Sequence, residues 1–164
     1  MIVVVMGVCG AGKSTVGRAV AATLGARFLD GDAVHPTTNR EKMAAGLPLD
    51  DADRDPWLAT LADLVVAADA GGESLVVASS ALKRSYRARF RSAVPGIRFV
   101  HLDAPPDALR ERLRARQGHF LPPALLESQL ATLEAPDGEE GVLVVDATAS
   151  PAAIAASVAA WLRP

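Results

Sequence analysis

The apolar run Ile2-Val3-Val4-Val5-Met6 ends in Gly7-Val8-Cys9-Gly10-Ala11-Gly12-Lys13-Ser14, and a stretch of helical period follows. No other feature narrows the fold as much. Glycines let the backbone curl so that consecutive N–H groups face phosphate oxygens, and a helix that begins near Lys13 adds the positive end of its dipole. The spacing fits G-x-x-x-x-G-K-[ST] between a strand and a helix, the context its mechanism demands. This predicts an ATP site built on the backbone of Gly7 to Gly12. Lys13 is expected at the β- and γ-phosphates, Ser14 on Mg²⁺ and Thr15 on the α-phosphate. A bare glycine turn is the competing reading, and the flanking elements weigh against it. Cys9 sits where helix-end and lysine charge would lower a thiol pKa. Phosphoryl transfer needs positioning and charge neutralisation more than a protein nucleophile, so Cys9 is read as a bystander.

Further along, short β-branched runs alternate with helical stretches, the pattern of βαβ units around a parallel sheet. Five strands are predicted: Ile2 to Met6, Arg27 to Asp30, Ser74 to Ser79, Ile97 to Leu102 and Val142 to Val145. Helices are predicted from Lys13 to Leu24, from Pro56 behind an Asp55 cap, from about Pro105 to Arg116, and after Pro151. The 164 residues suit one domain spanning the whole chain, 1–164. Residues 117–123, with one glycine and two prolines between helical stretches, suit a small mobile lid.

Composition removes some classes of function. The apolar runs are too short to span a bilayer, and no basic leader precedes the first of them, so no membrane role and a cytoplasmic location are expected. A single cysteine agrees with a reducing compartment. The net charge of −2 argues against nucleic-acid binding. A local basic stretch, with ten Lys or Arg and three acids between Lys83 and Arg116, offers the contrary case. Base-stacking aromatics are sparse there, so ATP and an anionic small molecule are better partners.

The second strand ends in Asp30-Gly31-Asp32, followed by His35-Pro36. Carboxyl ends of strands line the ligand crevice of an open α/β sheet, which puts Asp32 and His35 beside the γ-phosphate position. Asp32 there could orient an acceptor hydroxyl, take its proton late in transfer, or hold a Mg²⁺-bound water; the bland alternative is a turn cap. Asp30 is read as structural. His35 either touches the ligand or simply ends the loop. Lys83, Arg84 and Arg87 follow the third strand, and one or more could bind an acceptor carboxylate, whereas Arg89 and Arg91 suit a solvated helix face. Helical periodicity puts Arg112 and Arg116 on the core side with Leu109 and Leu113, and Arg110 and Arg114 elsewhere. Gln129 and Glu134 are weaker candidates, with helix polarity and solubility as ordinary explanations.

Together, the phosphate loop, Asp30-Gly31-Asp32 with His35-Pro36, Lys42-Met43, Gly46-Leu47-Pro48-Leu49, Asp51-x-Asp53-Arg54 with Pro56-Trp57, Ser80-Ala81-Leu82-Lys83-Arg84 with Tyr86-Arg87, and Gly118-His119-Phe120 resemble the gluconokinase family. The resemblance runs to about Glu134 and implies a P-loop kinase fold, a five-stranded parallel sheet flanked by helices. It also implies the reaction of ATP with D-gluconate to give ADP and 6-phosphogluconate. By it, Arg112 packs on adenine and Arg116 contacts phosphates, while Arg54 and His119 join Asp32, His35, Lys83 and Arg87 on the acceptor side. Cys9 and Ala11 stand where relatives often carry serine. A homodimer is compatible with this reading, and no sequence feature fixes the oligomeric state. Shikimate kinase, another small-metabolite kinase, or a nucleotide-binding regulatory module are the alternatives. Ser80-Ala81-Leu82-Lys83, without a Gly-Gly-Gly turn there, favours gluconokinase.

Overall fold

The computed structural model describes residues 1–115 and 123–163. Five strands, β1 (Ile2–Met6), β2 (Arg27–Asp30), β3 (Leu75–Ala78), β4 (Arg98–Asp103) and β5 (Val142–Asp146), form one parallel sheet in the order β2-β3-β1-β4-β5. Helices α1 (Lys13–Leu24), α2 (Thr37–Ala44), α3 (Asp51–Ala70), α4 (Arg84–Ala93), α5 (Pro106–Ala115), α6 (Pro123–Thr132) and α7 (Pro151–Leu162) complete it, with a 3-10 turn at Gly31–Val34. This is the expected five-stranded parallel sheet flanked by helices. Among the described residues no helix is long and apolar enough to cross a membrane.

Strand β1 is central and buried along its whole length, as a parallel strand covered on both faces must be. Its side chains alternate between two cores. Val3 and Val5 pack with Val16 and Val20 of α1 and with Ile154 and Val158 of α7. Val4 and Met6 face the opposite way, toward Trp57, Leu61 and Val65 of α3 and Phe90 of α4. Each such buried side chain contributes roughly 1.5–3 kcal/mol of transfer free energy.

Strand boundaries fall within a residue of expectation, but α3 begins five residues earlier than Pro56. Asp50 caps it, accepting from Asp53 N at 2.8 Å, and Asp53 returns the bond by accepting from Asp50 N at 3.0 Å. This reciprocal box satisfies two donors at once, which outweighs the one N–H that Pro56 withholds near the helix start. Starting α3 at Asp51 brings Arg54 onto its buried face beside Trp57.

The crossovers place the carboxyl ends of β1, β2 and β3 along one edge. The turn after β2 lies so close to β3 that a Cβ on Gly31 would sit 2.3 Å from the Ala78 carbonyl oxygen, so only glycine fits there. Of the residues expected to form the lid, 117–123, Pro123 begins α6, and the others, His119 among them, lie outside the described residues together with Arg116.

Candidate active site

Helix α1 starts at Lys13 directly after Gly12, whose φ of 94° is a left-handed conformation that favours glycine. No side chain caps this N-terminus, and no acid occupies its first turn. Its free N–H groups and uncompensated dipole therefore favour an anion. Lys13 Nζ donates to the Val8 carbonyl at 3.0 Å, curled back over the loop. Ser14 Oγ donates to Asp30 Oδ2 at 2.8 Å. Asp30 Oδ1 accepts from Asp32 N at 3.2 Å, which caps the 3-10 turn. Capping belongs to Asp30, and the Asp32 side chain is left 66% exposed at the cleft. The Asp30 carboxylate, read as structural, holds its own turn and also bonds to the first turn of α1.

An open cleft runs along the loop past Gly12, Lys13, Ser14, Thr15, Asp30 and Arg112. Arg112 donates to the Ala147 carbonyl at 2.6 Å, which holds its guanidinium at the cleft wall against the turn between β5 and α7. Leu109 is buried and Leu113 partly so, as the periodicity required. Arg110 instead pairs with Asp107 and Glu127 on the surface.

A second cleft has a volume of about 100 Å³. Asp32, His35, Arg54, Trp57 and Ser80 line it, with Met43, Pro48 and Leu49 as apolar wall. Cys9, Lys13 and Asp32 line both clefts, so the two meet there. His35 is 6% exposed and stacks on Trp57 with ring centroids 4.2 Å apart. Trp57 Nε1 donates to the Gly31 carbonyl at 2.8 Å, fixing the acidic turn to α3. The Asn39 amide, 3.3 Å from His35 Nδ1, also donates to the Asp53 carbonyl at 2.7 Å. With Nδ1 accepting, the neutral ring carries its proton on Nε2, which lies 3.9 Å from Asp32 Oδ1. Burial pushes the His35 pKa down, only partly opposed by Asp32, so the ring is neutral at pH 7.

Arg54 is 5% exposed, and neither Nε nor Nη1 has a hydrogen-bond partner among the described residues. Its guanidinium lies 5.9 Å from the Tyr86 ring centroid, and it lines the second cleft. A buried cation with idle donors is costly unless an anion meets it.

The structure does not bring Lys83 and Arg87 to this cleft. Lys83 pairs with Asp51 at 2.7 Å, and Tyr86 donates its hydroxyl to the same carboxylate. Arg87 is fully buried. Its Nη1 donates to the Ala81 and Leu82 carbonyls, each at 3.0 Å, Nη2 donates to the Glu134 carbonyl at 3.0 Å, and Nε to Glu139 at 3.0 Å. The expectation that it binds an acceptor carboxylate is corrected, since internal partners consume its donors. Glu139 also meets Arg91 at 2.9 Å, so Arg91 is not simply solvated, whereas Arg89 reaches out to Asp55. The Arg87 guanidinium is the foremost cause holding the Glu139 carboxyl at about 2. This clamp braces the loop after β3, where Ala81 adopts a φ of 40° that non-glycine residues rarely occupy.

Burial raises the Cys9 thiol pKa, and this outweighs the opposing pull of Lys13. The lysine is close in sequence, whereas the burial comes from the tertiary fold. The Cys9 backbone N–H donates to Gln129 Oε1 at 2.7 Å, a contact that joins α6 to the phosphate loop across 120 residues of sequence.

A family model described as an AAA domain matches residues 2–136. Gluconokinase of Gluconobacter oxydans is 49% identical over 148 residues, covering 90% of this chain and 83% of that protein. Thermoresistant gluconokinase of Escherichia coli is 46% identical, covering 88% and 83% respectively. The chain belongs to the gluconokinase family. The crystal structure of a gluconokinase from Sinorhizobium meliloti superposes with a TM-score of 0.86 at 45% identity, over 98% of this chain and 94% of that one. Gluconokinase membership makes the protein an ATP-using phosphotransferase of the P-loop kinase fold.

Proposed function

We propose that the protein transfers the γ-phosphoryl group of ATP to the 6-hydroxyl of D-gluconate, giving 6-phospho-D-gluconate and ADP. The observation that carries this reading is the meeting of the two clefts at Lys13 and Asp32, with Arg54 in the acceptor cleft carrying an Nε and an Nη1 that find no partner among the described residues. The loop N–H groups and Lys13 hold the β- and γ-phosphates and neutralise charge as it develops. Asp32, at the junction, orients the attacking hydroxyl and accepts its proton late in transfer. Arg54 pairs with the acceptor carboxylate, a bidentate partner suited to a planar fork. His35, neutral and wedged on Trp57, offers its Nε2 proton to Asp32 or to a hydroxyl.

The Ser14 hydroxyl and the Asp30 carboxylate form an all-oxygen donor set that fits Mg²⁺, which usually takes one or two protein ligands and fills its octahedron with waters and phosphate oxygens. Mg²⁺ held there would neutralise phosphate charge. By family resemblance, Arg112 packs on adenine, Arg116 contacts the transferring phosphate, and His119 joins the acceptor side.

The test is a purified-protein screen of sugar acids, shikimate and nucleosides for ADP release from MgATP. D-gluconate is expected to give the fastest release, with 6-phosphogluconate as product. ATP consumption that ignores every acceptor would instead favour a nucleotide-hydrolysing regulatory module.

A further inference from the structure

Helix α6 presents Leu125 and Leu126 to the core, where they are 5% and 1% exposed. Helical spacing places residue 129 on that same face, four and three positions on. An amide stands there instead of a third apolar side chain. Gln129 Oε1 accepts the Cys9 N–H at 2.7 Å, and Gln129 also lines the acceptor cleft with Asp32 and Arg54. Because the loop supplies a donor, the atom facing it must be the carbonyl oxygen, which fixes the orientation of the carboxamide. The Nε2 group then points away from the loop. Among the described residues it donates to no protein atom, although a primary amide carries two N–H bonds.

We propose that Gln129 is an acceptor-specificity residue whose Nε2 donates to hydroxyl oxygens of the polyhydroxy substrate while its carbonyl stays anchored on the phosphate loop. The proposal rests on the gluconokinase reading of the same cleft. Its physical content is coupling. One planar amide ties the acceptor to the backbone that carries the phosphates, so the distance between nucleophile and phosphorus is set by a rigid group rather than by two independent walls. A chain of apolar residues at this position would leave the acceptor hydroxyls unpaired. An acceptor without hydroxyls would leave Nε2 unpaired, which is how a hydrogen-bonding site refuses the wrong substrate.

Gln129→Glu keeps a carboxyl oxygen for Cys9 N–H and removes both donors. Gln129→Met keeps the length, introduces no charge, and removes every hydrogen bond. Each is compared with the unmodified protein for the KM of D-gluconate at saturating MgATP, the KM of ATP at saturating gluconate, and melting temperature. Loss of the amide donors is expected to raise the gluconate KM about tenfold in both variants, the scale of one or two ordinary hydrogen bonds. The ATP KM is expected to stay within about threefold, since the remaining loop N–H groups still hold the phosphates. Unchanged gluconate KM in a folded Gln129→Glu protein overturns the proposal, as does a change confined to the ATP KM in Gln129→Met. If the unmodified protein shows no gluconate-dependent ADP release, the gluconokinase reading falls and the proposal with it. That outcome is distinct, because it appears before any substitution is made.

Discussion

Ser14 donates its hydroxyl to the Asp30 carboxylate across 2.8 Å, joining the first turn of α1 to the end of β2. If this pair carries Mg²⁺, then Asp30→Asn keeps the size and an acceptor oxygen but removes the charge. The Mg²⁺ concentration for half-maximal rate is expected to rise roughly 10- to 100-fold, the usual cost of disturbing a metal's supporting shell. A Mg²⁺ titration at fixed ATP measures it. An unchanged midpoint would confine Asp30 to capping the acidic turn.

Replacing Asp32 by Asn separates two roles more cleanly. The turn after β2 is capped by Asp30, so asparagine at 32 costs the fold little. Turnover is expected to fall by roughly 10² to 10⁴, the span for losing a general base. ATP affinity, measured by equilibrium binding, should hold. Near-normal gluconate phosphorylation would remove Asp32 from the chemistry.

Arg54 presents a conflict between stability and function. Its buried guanidinium has idle donors, so Arg54→Met should leave the melting temperature of the ligand-free protein unchanged or higher. The same change removes charge-assisted bonds to the acceptor carboxylate and should lower kcat/KM for gluconate by roughly 10- to 100-fold. A variant that loses melting temperature but keeps its gluconate kinetics would make Arg54 a structural residue.

Acid stability should report the clamp at Glu139. Its carboxyl is held at about 2 in the folded chain, against an ordinary value of 4.5, chiefly by the Arg87 hydrogen bond. A depressed carboxylate pKa stabilises the fold above the unfolded value and loses that contribution as pH falls. The stability difference between the unmodified protein and Glu139→Gln should therefore be full near pH 6 and shrink between pH 4.5 and about 2. Denaturant midpoints across that range test it. Removing one partner of such a buried pair is expected to cost roughly 3–5 kcal/mol at neutral pH.

The strands and the phosphate loop were legible because each rests on local signals: β-branched runs, glycine spacing and a following helical period. That Asp32 and His35 line the cleft was legible from their place after a strand. Arg87 was not, for its basic neighbours pointed to a substrate, while the acid that neutralises it lies 52 residues away in sequence. The start of α3 was missed for a different reason. Pro56 is a strong local signal, and the reciprocal bonds of Asp50 and Asp53 are a pair effect that single-residue preferences do not reveal. Asp30 carries two bonds to two different elements, and the one to Ser14 spans 16 residues, beyond what local signals reveal.

The alternation of β1 side chains between two separate cores has a consequence for how such a kinase changes over evolutionary time. Helix α1, which begins at Lys13, is anchored in one core, and α3, which carries Arg54 and Trp57, is anchored in the other. Substitutions that reshape the α3 layer to admit a new alcohol need not disturb the packing beneath the nucleotide. The central strand acts as a partition, letting one half of the enzyme drift toward new chemistry while the other keeps its grip on ATP.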